Sequence, residues 1–135
     1  MDQELIMQAS MIERQMQEAQ QNVEFLEKEI LDLRQFQENL NFFDKTEGKD
    51  ILASLGKGVY AKSQLVDKRL FVEVGSGIIV RKTPEEASKV VEEQLKKLMQ
   101  GRIHFITKIE ELQSELQNMI VDFEREHDSS VGKNK

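Results

Sequence analysis

Residues 51–83 read ILASLGKGVYAKSQLVDKRLFVEVGSGIIVRKT, and this stretch decides the fold of the chain. It holds most of the chain's glycines and its densest β-branched clusters, which are typical of short strands and tight turns. Turn residues near 57, 67 and 76 divide it into four apolar runs. The sequence therefore predicts two β-hairpins over residues 50–83. The predicted turn glycines are Gly56, Gly58, Gly75 and Gly77.

The apolar residues of these strands predict an oligomerisation surface. By alternation, Leu70, Val72 and Val74 share one face of a strand. Four short strands bury too little to be stable alone, and their outer edges leave backbone groups unpaired. We therefore expect another chain to complete the block. The predicted oligomerisation residues are Val59, Ala61, Leu70, Val72, Val74, Ile78 and Val80.

The composition favours helices with little interior. At 135 residues there is room for one domain, and 33% charged residues with only 6% aromatic residues suit an elongated helical chain. There is no Cys, which fits a reducing compartment and leaves neither disulfides nor thiolate metal ligands to expect. The first residues do not resemble a signal peptide, and no apolar run reaches the roughly 20 residues that span a bilayer. The sequence therefore predicts a cytoplasmic protein.

The charge is acidic overall and unevenly placed. A formal net charge of -6 argues against nucleic-acid binding, because neutralising phosphates requires clustered Lys and Arg. From Asp44 to Pro84 there are 8 basic and 5 acidic residues, a net of +3, which leaves -9 for the rest of the chain. A basic β segment that contacts RNA is the alternative, but it lacks interleaved aromatic residues. We expect no nucleic-acid and no membrane partner.

The segment before the hairpins predicts a helix over residues 2–43. It contains no Gly or Pro, and its seam residues recur in alternating steps of four and three, which is the heptad pattern of a coiled coil. Gly48 is the expected stop signal. The predicted seam positions are Leu5, Ala9, Ile12, Met16, Ala19, Val23, Leu26, Ile30, Leu33, Gln37 and Leu40.

A second helix is predicted over residues 84–127. Thr83 can cap it, Pro84 suits its first turn, and Glu86 stands where a capping box needs an acidic residue. The heptads are interrupted only at Gly101 and Arg102, where the arginine either extends to solvent or sets the register. Residues 128–135 lack periodicity and predict a disordered tail. The predicted seam positions are Val91, Leu95, Leu98, Arg102, Phe105, Ile109, Leu112, Leu116, Met119 and Phe123.

The order of these segments resembles the alpha-type subunit of prefoldin. The resemblance covers nearly the whole chain and rests on the two heptad helices and on residues 55–60 (LGKGVY), 72–77 (VEVGSG) and 82–87 (KTPEEA). Two hairpins point to the alpha type, because beta-type subunits have one. The implied fold is mainly α with a small β portion: a long antiparallel coiled-coil hairpin joined by two β-hairpins that assemble into an oligomeric β-barrel.

The same resemblance implies a function and partners. The implied function is that of an ATP-independent chaperone, or holdase, that captures unfolded client proteins with its coiled-coil tips. The chaperone then transfers these clients to a group II chaperonin. The implied assembly is an alpha2-beta4 hexamer with beta-type prefoldin subunits.

No catalytic site is expected from the residues. Residues 56–61 match the dinucleotide pattern G-x-G-x-x-A, but they lead into a strand, whereas that fingerprint opens a helix. His104 and His127 have no partners at metal-ligand spacing and are interpreted as surface residues. The many paired carboxylates fit an exposed Glu-rich helix face. The sequence predicts no enzyme, no metal and no cofactor.

Extra apolar residues cluster where the first helix begins and the second ends. Several of them lie off the seam, and four of the six Met fall within the first sixteen residues. Because Met side chains adapt to varied apolar partners, we predict client binding here. The predicted client-binding residues are Leu5, Ile6, Met7, Met11, Ile12, Met119, Ile120, Val121 and Phe123.

Two alternatives stay open. The off-seam residues Phe25, Leu31 and Ile103 in mid-helix are a second candidate client surface. The other alternative is that the terminal apolar residues only add to the packed seam and bind no client. A structural coiled-coil scaffold or filament is the competing class of function, and it needs no exposed Met cluster.

Overall fold

The computed structural model describes residues 3–46 and 48–133, with side chains as far as residue 126. It contains two long helices separated by two β-hairpins, as predicted. The elements are α1 (Gln3–Asp44), β1 (Asp50–Gly56), β2 (Val59–Gln64), β3 (Leu70–Gly75), β4 (Ile78–Lys82) and α2 (Pro84–Lys133). Residue 2, which the sequence placed in the first helix, lies outside the described residues.

The second helix is longer than predicted. α2 continues to Lys133, whereas the heptad pattern predicted its end at residue 127. No Pro occurs in residues 128–133, and the first Gly after residue 101 is Gly132, so a strong stop signal comes only at the observed end. The segment predicted as a disordered tail is therefore helical as far as Lys133, and residues 134 and 135 lie outside the description.

The seam between the helices is confirmed position by position. Every seam residue predicted in α1 and α2 is buried or half-buried, while most of their neighbours are exposed. This pattern follows from the heptad spacing, which keeps one narrow stripe of each helix against the other. The burial of these positions supports the antiparallel pairing inferred from the sequence.

The chain divides into two compact units. Unit 1 comprises Met1–Glu29 with Leu98–Lys135. Within it, the first part of α1 packs on the second part of α2, and a Cβ on Gly101 would lie 3.3 Å from Leu26 Cδ1, so the two helices approach closely at this glycine. The buried apolar residues of unit 1 are Ile12, Ala19, Val23 and Leu112.

Unit 2 comprises Ile30–Lys97 and holds both hairpins. Its core is a cluster of Leu40, Ala87 and Val91, against which Leu70 of β3 packs. Leu70 therefore joins the second hairpin to the helices. The pairing of Leu40 with residues near the start of α2 also shows that the helices run antiparallel in this unit.

Side-chain hydrogen bonds fix the helix ends in unit 2. Thr46 is buried, and its Oγ1 donates to the Phe43 carbonyl oxygen at 2.8 Å, which satisfies a terminal group of α1. At the start of α2, the Glu86 N–H donates to Thr83 Oγ1 at 3.1 Å, as the predicted cap requires. Gly48 follows α1 with a φ of 77°, which suits the predicted stop.

The two hairpins have the same register. In hairpin 1 (β1 and β2), Gly56 pairs with Val59 around a two-residue turn, and in hairpin 2 (β3 and β4) Gly75 pairs with Ile78 in the same way. From the pair Ile51–Ser63 to the turn, each position of hairpin 1 has its counterpart nineteen residues later, as Gly58 and Gly77 illustrate. The strands form two separate two-stranded sheets, so each strand has one edge unpaired by the other described strands.

The predicted turn glycines all have positive φ, a backbone conformation that glycine adopts readily. Lys57 and Gly58 both have positive φ, 51° and 77°, which is the type I′ geometry that matches the twist of a hairpin. Ser76 and Gly77 repeat it. The register of each hairpin shifts just before its turn, which marks a β-bulge in β1 and another in β3.

Candidate functional site

Two exposed apolar surfaces stand out, one in each unit. The first lies in unit 1, where α1 begins and α2 ends. The contact between Leu26 and Gly101 fixes the register of the antiparallel helices. Counting outward from this contact brings the segment around Ile6 opposite the segment around Val121, so the terminal apolar residues of both helices lie in the same part of unit 1.

Four of the predicted client-binding residues are exposed. The exposed fractions are 46% for Ile6, 66% for Met7, 58% for Met11 and 44% for Ile120. We call these four residues the tip patch. Their side chains are available to a partner, because seam packing does not need them.

The other five predicted client-binding residues are at least half-buried, and four of them are seam positions. Ile12 is buried, and the remaining four are half-buried. Val121 is the one off-seam residue among them, and its side chain is more buried than its heptad position predicted. The half-buried residues are Leu5, Met119, Val121 and Phe123.

The mid-helix alternatives are as exposed as the tip patch. Phe25, Leu31 and Ile103 each have more than half of their surface accessible. Phe25 and Ile103 belong to unit 1, whereas Leu31 belongs to unit 2. Exposure alone therefore does not separate the two candidate client surfaces, and a functional comparison is needed.

The second surface consists of the two hairpins. Three predicted oligomerisation residues, Val59, Val74 and Ile78, are more than half exposed, and they flank the two turns. Ala61, Val72 and Val80 are half-buried, as is Leu70, which packs on the cluster of unit 2. The predicted residues lie at alternate positions of their strands and so share one face of each hairpin.

Sequence reasoning did not single out several exposed residues of the hairpins. Leu52 and Tyr60 lie on the opposite face of hairpin 1, and their counterparts Phe71 and Ile79 lie on the opposite face of hairpin 2. Comparing the two hairpins at a spacing of nineteen residues would have revealed this repeat. Leu55 was also missed, although alternation from Ala53 places it on the face that carries Val59.

Ion pairs around the hairpins are exposed. Lys62 Nζ lies 3.5 Å from Asp50 Oδ2 across hairpin 1, and Lys68 Nζ lies 3.2 Å from Asp44 Oδ1. Exposed pairs of this kind contribute little to stability.

The connection between the hairpins contains a tighter pair. Asp67 accepts hydrogen bonds from the side chain of Arg69, with Nη2 at 2.7 Å from Oδ2, and from the Arg69 backbone N–H at 2.9 Å. These bonds, the side-chain bond first, lower the pKa of the Asp67 carboxyl, and the same pair raises the pKa of Arg69. The pair closes a local turn between β2 and β3.

Arg102 is the irregular residue of the seam in unit 1. Its side chain is half-buried, and its Nε atom is buried without a hydrogen-bond partner. A buried unpaired donor costs free energy, so this position weakens the seam. Gly101 beside it adds a helix-destabilising residue.

No grouping of three or more His, Cys, Asp or Glu side chains suited to a metal occurs among the residues that the structure describes. His104 is exposed, and the side chain of His127 lies outside the description. Across the described helices, none is both long and apolar enough to span a membrane.

Known proteins are similar to this chain in sequence and in fold. Residues 12–127 match the family described as prefoldin subunit. The prefoldin subunit alpha 2 of Thermococcus kodakarensis is 36% identical over 69 residues, which are 50% of this chain and 49% of that protein. The prefoldin subunit alpha of Archaeoglobus fulgidus is 26% identical over 109 residues, which are 74% of this chain and 80% of that protein. The match thus spans about half the length of the Thermococcus relative.

The fold is also similar to a solved structure of filamentous PFD from Methanocaldococcus jannaschii. The TM-score is 0.71 at 25% identity, and the match covers 84% of this chain and 95% of that one. The chain belongs to the prefoldin family, as an alpha-type subunit. Members of this family are chaperones that assemble with other prefoldin subunits.

Proposed function

We propose that this chain is one subunit of a cytoplasmic, ATP-independent holdase that binds unfolded client proteins through the tip patch. The observation that carries the proposal is that Met7 and Met11 are exposed with Ile6 and Ile120 beside a packed seam, whereas the exposed mid-helix alternatives contain no Met. Because Met is flexible and polarisable, such a patch can pack against many different apolar segments.

Weak contacts suit this role. Each exposed apolar side chain contributes about 1 kcal/mol or less at a partly hydrated surface. Several subunits that bind one client together gain avidity from effective concentration, so no nucleotide is needed to hold the client. We propose an alpha2-beta4 hexamer with beta-type prefoldin subunits as this multivalent assembly. The seven hairpin residues predicted from the sequence would provide its contacts.

The test compares two sets of substitutions in the assembled protein. The tip variant changes Ile6, Met7, Met11 and Ile120 to Ser, and the matched control changes Phe25, Leu31 and Ile103 to Ser. Each is mixed with a denatured, aggregating protein and a beta-type partner, and light scattering is followed. We expect the tip variant to lose most of its suppression of aggregation and the control to keep it. A tip variant as active as the parent would contradict the proposal.

Transfer to a group II chaperonin is the second part of the proposed function. A labelled client bound to the assembly should move to an added chaperonin, and the transfer should not require ATP hydrolysis by this chain. Size-exclusion chromatography of the mixture measures where the label goes. Label that stays with the assembly at chaperonin excess would contradict transfer.

A structural filament is the competing proposal. It is supported by the similarity to a filamentous assembly from Methanocaldococcus jannaschii. A filament subunit needs exposed hairpins but no exposed Met side chains in unit 1. The tip variant therefore separates the two functions, because a scaffold would lose nothing when those four residues become Ser.

A further inference from the structure

The negative charge of the chain is concentrated in unit 1. By sequence, unit 1 contains 14 acidic and 7 basic residues, a net of -7, whereas unit 2 contains 11 acidic and 12 basic residues, a net of +1. Packing of the seam does not account for this difference, because the one charged seam position of unit 1, Arg102, is basic. The acidic unit is therefore the one that carries the tip patch.

Acidic side chains are in excess around the tip patch. Residues 3–18 and 115–126 include seven acidic residues but only two basic ones, Arg14 and Arg125, a net of -5. Six of the seven carboxylates are exposed and form no ion pair with another residue that the structure describes, so their charges are available to a partner. The six residues are Glu13, Glu18, Glu115, Asp122, Glu124 and Glu126.

Three patch residues have one of these carboxylates on their own side of the helix. In α1 the carboxylate follows the patch residue by seven positions, and in α2 it follows by four. Residues at these spacings lie on one side of an α-helix, about 6 to 11 Å apart along its axis. We call these three carboxylates the acidic rim. The pairs of patch residue and carboxylate are Ile6 with Glu13, Met11 with Glu18, and Ile120 with Glu124.

Charges at this distance act on a segment that is bound to the tip patch. The Debye length is about 8 to 10 Å at physiological salt, so charges beside such a segment are only partly screened from the acidic rim. Positive flanking charges are attracted and negative ones are repelled, which changes the rate of association and suppresses the wrong partners. Charge complementarity therefore favours a client segment with cationic flanks.

Unfolded proteins contain segments of this kind. Charged gatekeeper residues commonly flank the apolar segments that are most prone to aggregate. Lys and Arg suit the tip patch in particular, because their long stems cover apolar surface while their charged ends extend to a carboxylate. An apolar segment with basic flanks thus matches both the exposed Met and Ile side chains and the carboxylates beside them.

We propose that the tip patch selects apolar client segments flanked by Lys or Arg, and that the acidic rim determines this specificity. The inference rests on the proposed function and narrows it to one class of client. The apolar side chains supply most of the contact, and the carboxylates supply the preference among clients of equal hydrophobicity. Because the acidic rim is exposed, the preference weakens as the salt concentration rises.

The first test uses three fluorescent peptides that share one apolar core and carry Lys, Ser or Glu on both flanks. Fluorescence anisotropy measures their Kd for this chain assembled with a beta-type partner. At low salt we expect the Lys peptide to bind about tenfold more tightly than the Glu peptide, with the Ser peptide between them. At about 0.5 M salt the ratio should fall to about twofold, because screening removes the preference. Equal affinity for the Lys and Glu peptides at low salt would overturn the inference.

The second test asks whether the acidic rim carries the preference. The rim variant Glu13→Gln/Glu18→Gln/Glu124→Gln removes three charges and keeps the size of each side chain. It should lower the ratio between Lys and Glu peptides by about threefold or more and leave the Kd of the Ser peptide within about twofold of the parent. An unchanged ratio in this variant would overturn the inference.

A matched control removes the same charge from unit 2. Asp32→Asn/Glu38→Gln/Glu92→Gln neutralises three exposed carboxylates there and should leave the ratio between the peptides within about twofold of the parent. An equal loss of preference in the control and in the rim variant would overturn the inference, because the preference would then follow the net charge of the chain. Circular dichroism confirms that each variant keeps its helices.

The Ser peptide separates this inference from the proposed function. The tip variant, which changes the four tip-patch residues to Ser, should bind the Ser peptide at least about fivefold more weakly than the parent. If it binds that peptide as tightly as the parent does, client binding by the tip patch is wrong and the inference is wrong with it. If the tip variant loses the Ser peptide but the parent does not prefer the Lys peptide, the inference alone is wrong.

Discussion

In the helices, the side chains of Ile12, Val23 and Val91 are almost fully buried, whereas no strand residue from 50 to 82 is. Both regions are rich in apolar residues, so hydrophobicity alone does not distinguish them. The helices bury their apolar stripe against each other within one copy of the chain. The hairpins keep exposed apolar residues and unpaired edges, so we propose that they are the region to which another chain adds.

Removing the hairpins should therefore have the largest effect. If Asp50 to Lys82 are replaced by a short Gly-Ser loop, we expect assembly with other prefoldin subunits to be lost while helix content persists. Sedimentation velocity measures assembly and circular dichroism measures the helices. Val59→Lys with Ile78→Lys tests the same surface in the intact chain. A deleted chain that still oligomerises would show that the helices, not the hairpins, carry assembly.

The contrast between buried and exposed positions can be sharpened inside the helices. Leu112 is 7% exposed and Leu31 is 69% exposed, so the same substitution at each isolates the contribution of burial. Leu112→Ala should lower the free energy of unfolding by about 2 to 4 kcal/mol, and Leu31→Ala by less than about 0.5 kcal/mol. Urea unfolding followed by circular dichroism measures both. Equal losses of stability would mean that Leu112 is not buried between the helices and that the assignment of the seam is wrong.

In both regions, the features that depend on local sequence signals could be predicted. The seam was predicted at each position because heptad spacing is a local signal that is repeated many times. The turn glycines were equally readable, since Gly58 and Gly77 follow directly from the geometry of a two-residue turn. For the same reason, the capping role of Thr83 could be predicted from adjacent residues.

What sequence reasoning missed depends on tertiary neighbours. Thr46 is buried and bonds the end of α1, and Leu70 packs on the cluster of unit 2, but neither role has a local signature. Val121 is off the seam by heptad position and is nevertheless half-buried. Among the predicted tip residues, the exposed ones could be separated from the packed ones only once the burial of each side chain was known.

Arg102 offers a way to improve the seam. Its Nε atom is buried without a hydrogen-bond partner, so Arg102→Leu removes an unsatisfied donor and adds apolar contact in unit 1. We expect a gain of about 1 kcal/mol in the free energy of unfolding, measured in urea. Lys108→Leu, at an exposed position of the same helix, should change little. A loss of stability in Arg102→Leu would indicate that the arginine sets the register of the helices.

The smallest effect concerns the connection between the hairpins. Because the hydrogen bonds from Arg69 lower the pKa of Asp67 in the folded chain, the unfolded chain binds more protons as the carboxyl titrates. The stabilisation is therefore present above the unfolded carboxyl pKa of about 3.9 and is lost as pH falls through the folded pKa. The pair is exposed, so the change in stability is small. Carboxyl carbon NMR should give Asp67 a lower titration midpoint in the parent than in Arg69→Gln, and identical midpoints would show that the Asp67–Arg69 pair does not persist in solution.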